Sequence, residues 1–343
     1  MAFDFTQPID IQKVKEMKIK YTDMLVSLLM ESADKTLKHC TPMPGITSAI
    51  KLGGVRPGSI LSKYTGKFKG DKKLGEIVPR LLEVWPIVAE MMDEPERYRK
   101  TYIAEVPGAL RKDHPFELWL LQYGIKLASQ DLYRALFVAE RSESEEDTTP
   151  EKSFNGWGTI LDAEKTATNI SLANGNMFAT GAMTKENIGE KLLEMYRHMP
   201  ATFREQKDGI KMHMSADMAD MYDDWRKKQG VVVIGGTEEV ETVYLLGSNK
   251  KCEIVREGNF PEGSQFVILT TKANMVYGFD KESDMTNMMP FASGNPYMFT
   301  AAMKFVFGCE FISIDKSELC INDQAWKPAS SGAQTPTQPG EGS

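Results

Sequence analysis

The 343 residues include 41 basic and 48 acidic side chains, a formal net charge of −7, with 41% apolar and 26% charged residues. This is globular composition for two or three lobes, and it excludes a largely disordered chain and a broad basic face for nucleic acid. No apolar run approaches the roughly 18 residues of a membrane helix, and the first residues lack the pattern of a signal peptide, so a soluble intracellular chain without membrane contact is expected.

The first expected element is a helix over residues 9–39, whose Val14, Met17, Tyr21, Leu25 and Leu28 recur at helical spacing. Pro42, Pro44 and Gly45 end it. Residues 46–112 are punctuated by glycine and read as a long extended hairpin that must find its burial elsewhere. Strands are expected at 81–90 and 98–106, with a turn at Asp93 to Glu96. Lys67, Lys69, Lys72 and Lys73 form a basic patch inside this stretch.

A long apolar helix follows, capped by Asp113, with Pro115 in its first turn, and running to Arg141. At 1.5 Å per residue it would measure roughly 40 Å, with Gly124 as its weak point. Residues 142–153 are polar and mark a boundary; they hold Glu143, Glu145 and Glu146. Next come a helix over 185–199 capped by Thr184 and stopped by Pro200, then a helix capped by Ser215 and ending before Gly230. Strands are expected at 231–234, 241–246, 252–256 and 265–271, and two more at 297–307 and 310–314. Residues 328–343 make a flexible tail. The fold class is therefore α+β.

Chemical motifs are sparse. Gly53 to Gly58 lacks dinucleotide spacing, and Phe68 follows Gly66 and Lys67 where a phosphate loop needs Ser or Thr. His39, His114, His198 and His213 show no metal-ligand spacing, and His213 reads as a hydrogen-bonded strand residue between Met212 and Met214. Asp220, Asp223 and Asp224 read as a solvated helix face. Cys40, Cys252, Cys309 and Cys320 are scattered and read as reduced, buried thiols. No catalytic, cofactor or metal residues are assigned. Arms that cannot bury themselves imply neighbours.

The order of the pieces resembles a known family. Phe-Asn-Gly-Trp-Gly-Thr-Ile-Leu-Asp at 154–162 is followed by Asn174, Gly175 and Asn176, then Thr180 to Thr184 leading into a helix. After these come Met-Tyr-Arg-His-Met-Pro at 195–200, Lys-Met-His-Met-Ser at 211–215 and a helix over 216–229. Asn-Phe-Pro-Glu-Gly follows at 259–263, with 268–278 and Phe-Gly-Cys-Glu-Phe-Ile-Ser-Ile at 307–314 closing the series. Over roughly 64–323 the chain resembles the major capsid proteins of tailed bacteriophages with the Hong Kong 97 (HK97-like) fold.

The resemblance implies an N-terminal arm at 1–50, an extended loop at 51–112 and a flexible tail at 328–343. It also implies a peripheral domain at 113–164 and 276–327 with a long spine helix, and an axial domain at 165–275. It implies pentamers and hexamers of the chain that build an icosahedral shell around a DNA genome, assembled in the host cytoplasm. Scaffolding, portal and head decoration proteins would be its further partners, and DNA its non-specific contents. Charge alone points to contact between Lys67, Lys69, Lys72, Lys73 of one copy and Glu143, Glu145, Glu146 of the next. The readings left open beside it are an α+β hydrolase-like enzyme with a spatially assembled site, and another shell or phage tail component.

Overall fold

The computed structural model describes residues 33, 35–63, 72–106, 116–205, 209–230, 243–281, 288–291 and 297–328. Asp113, Pro115, His114 and residues 231–242 lie outside them, as does the helix read over 9–39 apart from its end. There, residues 33 and 35–37 are helical and the chain turns at Lys38 and His39.

The largest core forms around Phe116–Val138 (α2), which buries Phe116, Leu120, Ile125, Leu132 and Leu136 among others. Against it lies a five-stranded sheet made of Thr41–Met43 (β1), Trp85–Asp93 (β4), Met275–Gly278 (β9), Met289–Phe291 (β10) and Phe299–Phe311 (β11). β11 is the spine of this sheet. It pairs antiparallel with β4 from Phe299 opposite Asp93 to Phe307 opposite Trp85, and with β9 beyond Gly308. β1 joins β9 in parallel. Half-buried and exposed residues alternate strictly along β4, as expected of a strand with one face on a core. Gly124 is where helix and sheet touch: a Cβ there would stand 2.6 Å from the Met91 sulfur.

A second sheet runs Met177–Phe178 (β5), Leu319–Asn322 (β12), Val267–Thr271 (β8), Ile210–Ser215 (β6), Cys252–Glu257 (β7). Ile188–His198 (α4) and Ala216–Lys228 (α6) cover it and bury Leu192, Met195, Met218 and Tyr222 in a core of their own. The Ser215 hydroxyl caps α6 by accepting from the Met218 N–H at 3.3 Å. Asp217 at its start and Arg226, Lys227 and Lys228 at its end suit the helix dipole. Alternate residues of two strands serve different cores. Ile268, Leu319 and Ile321 pack with α2, whereas Val267, Leu269 and Cys320 pack beneath α4 and α6.

Ala49–Pro57 (β2) and Gly75–Glu83 (β3) pair only with each other, from Ala49 opposite Glu83 to Pro57 opposite Gly75. A small third core of Ile46, Leu52, Leu82, Val84 and Val276 pins the base of this ribbon.

Several expectations need correction. The strand read over 98–106 is helix: Pro95–Tyr98 is a 3-10 turn and Arg99–Glu105 (α1) is α-helical. Tyr102 packs on Phe116 and Trp119 of α2, with ring centres 5.3 and 6.1 Å away, so tertiary contact overrides strand propensity. The two closing strands are one, because β11 runs unbroken through Gly308. A Cβ at that glycine would lie 2.0 Å from the Glu83 carbonyl oxygen, so the residue marks a close crossing and not a break. The strand at 241–246 reduces to a bridge between Tyr244 and Glu253 among the described residues. α4 starts at Ile188, three residues later than Lys185; the Thr184 hydroxyl accepts from the Glu186 N–H in the turn before it. The stretch read as one long hairpin at 46–112 is divided among its described residues: β2 and β3 form the ribbon, β4 is paired along its whole length with β11, and α1 follows.

Candidate functional site

The ribbon is the one two-stranded sheet among the described residues that stands apart from the other two. Leu52 and Leu82 face its small core, while Ile50, Val78 and Leu81 on the same strands are exposed. Towards the tip the exposure grows: Ile60 is 57%, Leu74 82% and Leu61 87% exposed. Among the described residues nothing covers these apolar side chains.

A charge network fixes the ribbon's base. Arg80 donates to Glu164 Oε1 at 2.7 Å through Nη1, and to Glu310 Oε1 at 2.8 and 3.2 Å through Nη2 and Nε. Burial pushes the Glu310 carboxyl above its ordinary range, although the guanidinium and the Phe311 N–H oppose that shift. Burial works against the Arg80 charge, yet the two carboxylates hold its pKa above normal. Beside this network lies a cleft of about 520 Å³ lined by Arg80, Glu164, Asn169, Asn176, Asp315 and Lys316. Its amides are committed internally: Asn169 donates to Glu164, and Asn176 to the Asn169 and Ile314 carbonyls. The cleft therefore braces the ribbon against α3 (Trp157–Thr166) and the end of β11.

Of the residues singled out by charge, Lys67 and Lys69 lie outside the described residues. Lys72 and Lys73 are exposed just ahead of β3. Glu143, Glu145 and Glu146 are exposed in the segment after α2, where the Arg141 guanidinium lies 3.4 Å from Glu143 and stacks 3.5 Å over the Trp85 ring. No ion pair among the described residues joins these lysines to these glutamates. That segment is held by bonds from the Glu140 and Ser142 N–H groups to Glu151 and Lys152.

The remaining candidates take structural places. Asp220 forms a fork with Arg256, and Asp224 pairs with Lys185 at 3.2 Å. His198 contacts the Gly175 carbonyl. His213 is a buried strand residue on Glu257, as its alternation with methionine implies. All four cysteines are free and buried, and burial pushes their thiols up, Cys320 to about 12, which leaves no activated nucleophile among them. The residues that sequence reasoning passed over are Arg80, Glu164 and Glu310. One signal existed: Arg80 stands two positions before Leu82 and four before Val84, on the inward face of a strand where a charge demands a partner.

No family model and no curated protein matches the chain. Solved structures do. A chain of the satellite phage P4 procapsid superposes with a TM-score of 0.56 at 15% identity, over 88% of this chain and 90% of that one. A chain of the cyanophage A-1(L) capsid gives 0.54 at 13% identity, over 88% and 94%. The capsid of the native GTA particle gives 0.53 at 11% identity, over 84% and 89%. At such identities the likeness is one of architecture: the chain has the α+β, HK97-like fold of phage capsid proteins.

Proposed function

We propose that the chain is the structural subunit of a phage head, which self-assembles through pentamers and hexamers into an icosahedral shell enclosing DNA. The observation that carries the reading is the ribbon, braced at its base by Arg80, with Ile60, Leu61 and Leu74 exposed towards its far end. Such an arm gains burial by lying over another molecule. Head-to-tail contacts of this kind close into rings around a rotation axis, and arms that overlap tie rings together. The summed area then stabilises the shell without any single strong contact.

In this reading residues 1–50 are the N-terminal arm and 51–112 the extended loop. Residues 113–164 and 276–327 make the peripheral domain, 165–275 the axial domain and 328–343 the tail. The separate core beneath α4 and α6 supports that division, because most of its side chains fall between 183 and 269. Lys67, Lys69, Lys72 and Lys73 meet Glu143, Glu145 and Glu146 of a neighbouring copy. A scaffolding protein, a portal and decoration proteins complete the head, which assembles in the host cytoplasm; no catalytic step is assigned.

Light scattering after gel filtration, with negative-stain images of each peak, tests this. Rings of five or six copies or closed megadalton shells are the expected result. A monomer or dimer at every concentration and salt, with or without the co-expressed scaffold, overturns it.

A further inference from the structure

The end of the N-terminal segment is seated on the second sheet through polar groups that water does not reach. Thr36, His213 and Glu257 are buried to within 1% of completeness. His213 Nδ1 lies 2.8 Å from Glu257 Oε1, and the Thr36 hydroxyl donates to the other carboxylate oxygen. His213 Nε2 is buried with no hydrogen-bond partner among the described residues. His39 stands edge-on to it, with ring centres 6.3 Å apart. Leu37 and Cys40, both nearly inaccessible, complete the contact, and the Cys40 thiol donates to the Thr36 carbonyl.

Both oxygens of Glu257 are engaged, one by His213 and the other by Thr36, so this carboxylate has none left for His39. A proton on His39 would instead face His213 and Lys211 on β6, Lys272 after β8, and Lys38 in its own turn. The nearest carboxylate is Glu253 on β7, with Oε1 3.6 Å from His39 Nδ1, and its other oxygen is already taken by the Lys211 ammonium. The Cys40 thiol is neutral and offers no compensation.

We propose that residues 35–40 form an acid-released latch on β6 and β7, opened when His39 takes up a proton. Burial, with the positive neighbours adding to it, pushes the docked His39 imidazole down to about 3. In the released segment the same imidazole titrates near its ordinary value of about 6.5. The released form therefore binds more protons throughout that window, so docking is complete above it and weakens as pH falls through it. The device lies within one subunit and does not depend on the shell reading.

Hydrogen exchange of the full chain between pH 7 and 4.5, corrected for intrinsic rates, tests the latch. The opening constant of peptides covering 35–40 should rise by up to about tenfold per pH unit below about pH 6. Peptides from β8 should not follow, and His39→Gln should flatten the rise. Protection of 35–40 that ignores pH, or an undiminished rise in His39→Gln, overturns the proposal. Because that variant could dock poorly, exchange of the imidazole C2 hydrogen in the unchanged chain gives a second reading. A His39 midpoint well below that of free histidine supports the latch, and one at or above it overturns the latch.

Discussion

Arg80 and Glu310, 230 positions apart, are joined by two hydrogen bonds from one guanidinium to one carboxylate oxygen. The pair ties the free ribbon to the strand at the centre of the large sheet. Breaking one side leaves the other charge stranded in a site that is mostly closed to water, with 12% of each side chain exposed. Arg80→Met should cost about 3 kcal/mol, whereas Arg80→Met with Glu310→Gln should recover most of the loss. The pH dependence has a definite sign. A carboxyl whose folded pKa is raised contributes stability below its unfolded pKa and loses it as pH rises through the folded one. Without Arg80 that rise grows, so the deficit should shrink as pH is lowered towards about 4. Urea denaturation of the full chain at several pH values measures both effects.

Gly308 meets backbone, and backbone cannot move aside as a side chain can. Gly308→Ala should destabilise by about 2 kcal/mol through the collision with Glu83. Gly53 has open space around its missing Cβ, so Gly53→Ala should change stability by less than about 1 kcal/mol. Equal melting temperatures for the two variants would show that β11 does not need its crossing at Glu83.

Removing the tip separates folding from assembly. The Gly58 N–H bonds to the Leu74 carbonyl, so residues 59–73 can be replaced by Asn-Gly to close the ribbon with a tight turn. The variant should melt cooperatively near the parent temperature and fail to form shells in light scattering. A longer deletion that reached β4 should not fold, because β4 supplies a partner for nine residues of β11.

Charge reversal probes the proposed contact between copies. Lys72→Glu with Lys73→Glu should raise the concentration needed for assembly, and the raised threshold should persist at low salt, where exposed charges act most strongly. Adding Glu143→Lys and Glu145→Lys should bring it back. Assembly that is indifferent to both sets would remove these residues from the interface.

Two leucines on α2 differ by five positions and by their surroundings. Leu132 is 5% exposed and Leu127 is 44% exposed. Leu132→Asp should abolish folding, since an unpaired buried carboxylate costs several kcal/mol, while Leu127→Asp should remain soluble with a two-state melt. Circular dichroism melts distinguish them.

What could be read beforehand depended on how local the cause was. The Ser215 cap, the Pro200 stop and the buried strand around His213 were legible because each is decided within a few residues. Tyr98, Tyr102, Ile103 and Val106 misled because aromatic and branched residues favour strands until a partner helix is present, and that partner begins at Phe116. β12 escaped notice since its four residues are all buried and show no alternation. The Arg80 network was illegible as a network: its members at 80, 164 and 310 meet only once the fold is made. The order of motifs nonetheless pointed to the architecture that the solved structures share.

β8 and β12 put successive side chains into opposite cores, so the two lobes have a party wall between them in place of a hinge. Sliding either strand by one residue would hand each lobe the other's side chains. Neither lobe can loosen without stripping one face of the wall, and a strain applied at α6 is felt at α2 through the same few residues. The exposed length of the ribbon, which the wall does not bind, is where a change of shape meets the least resistance.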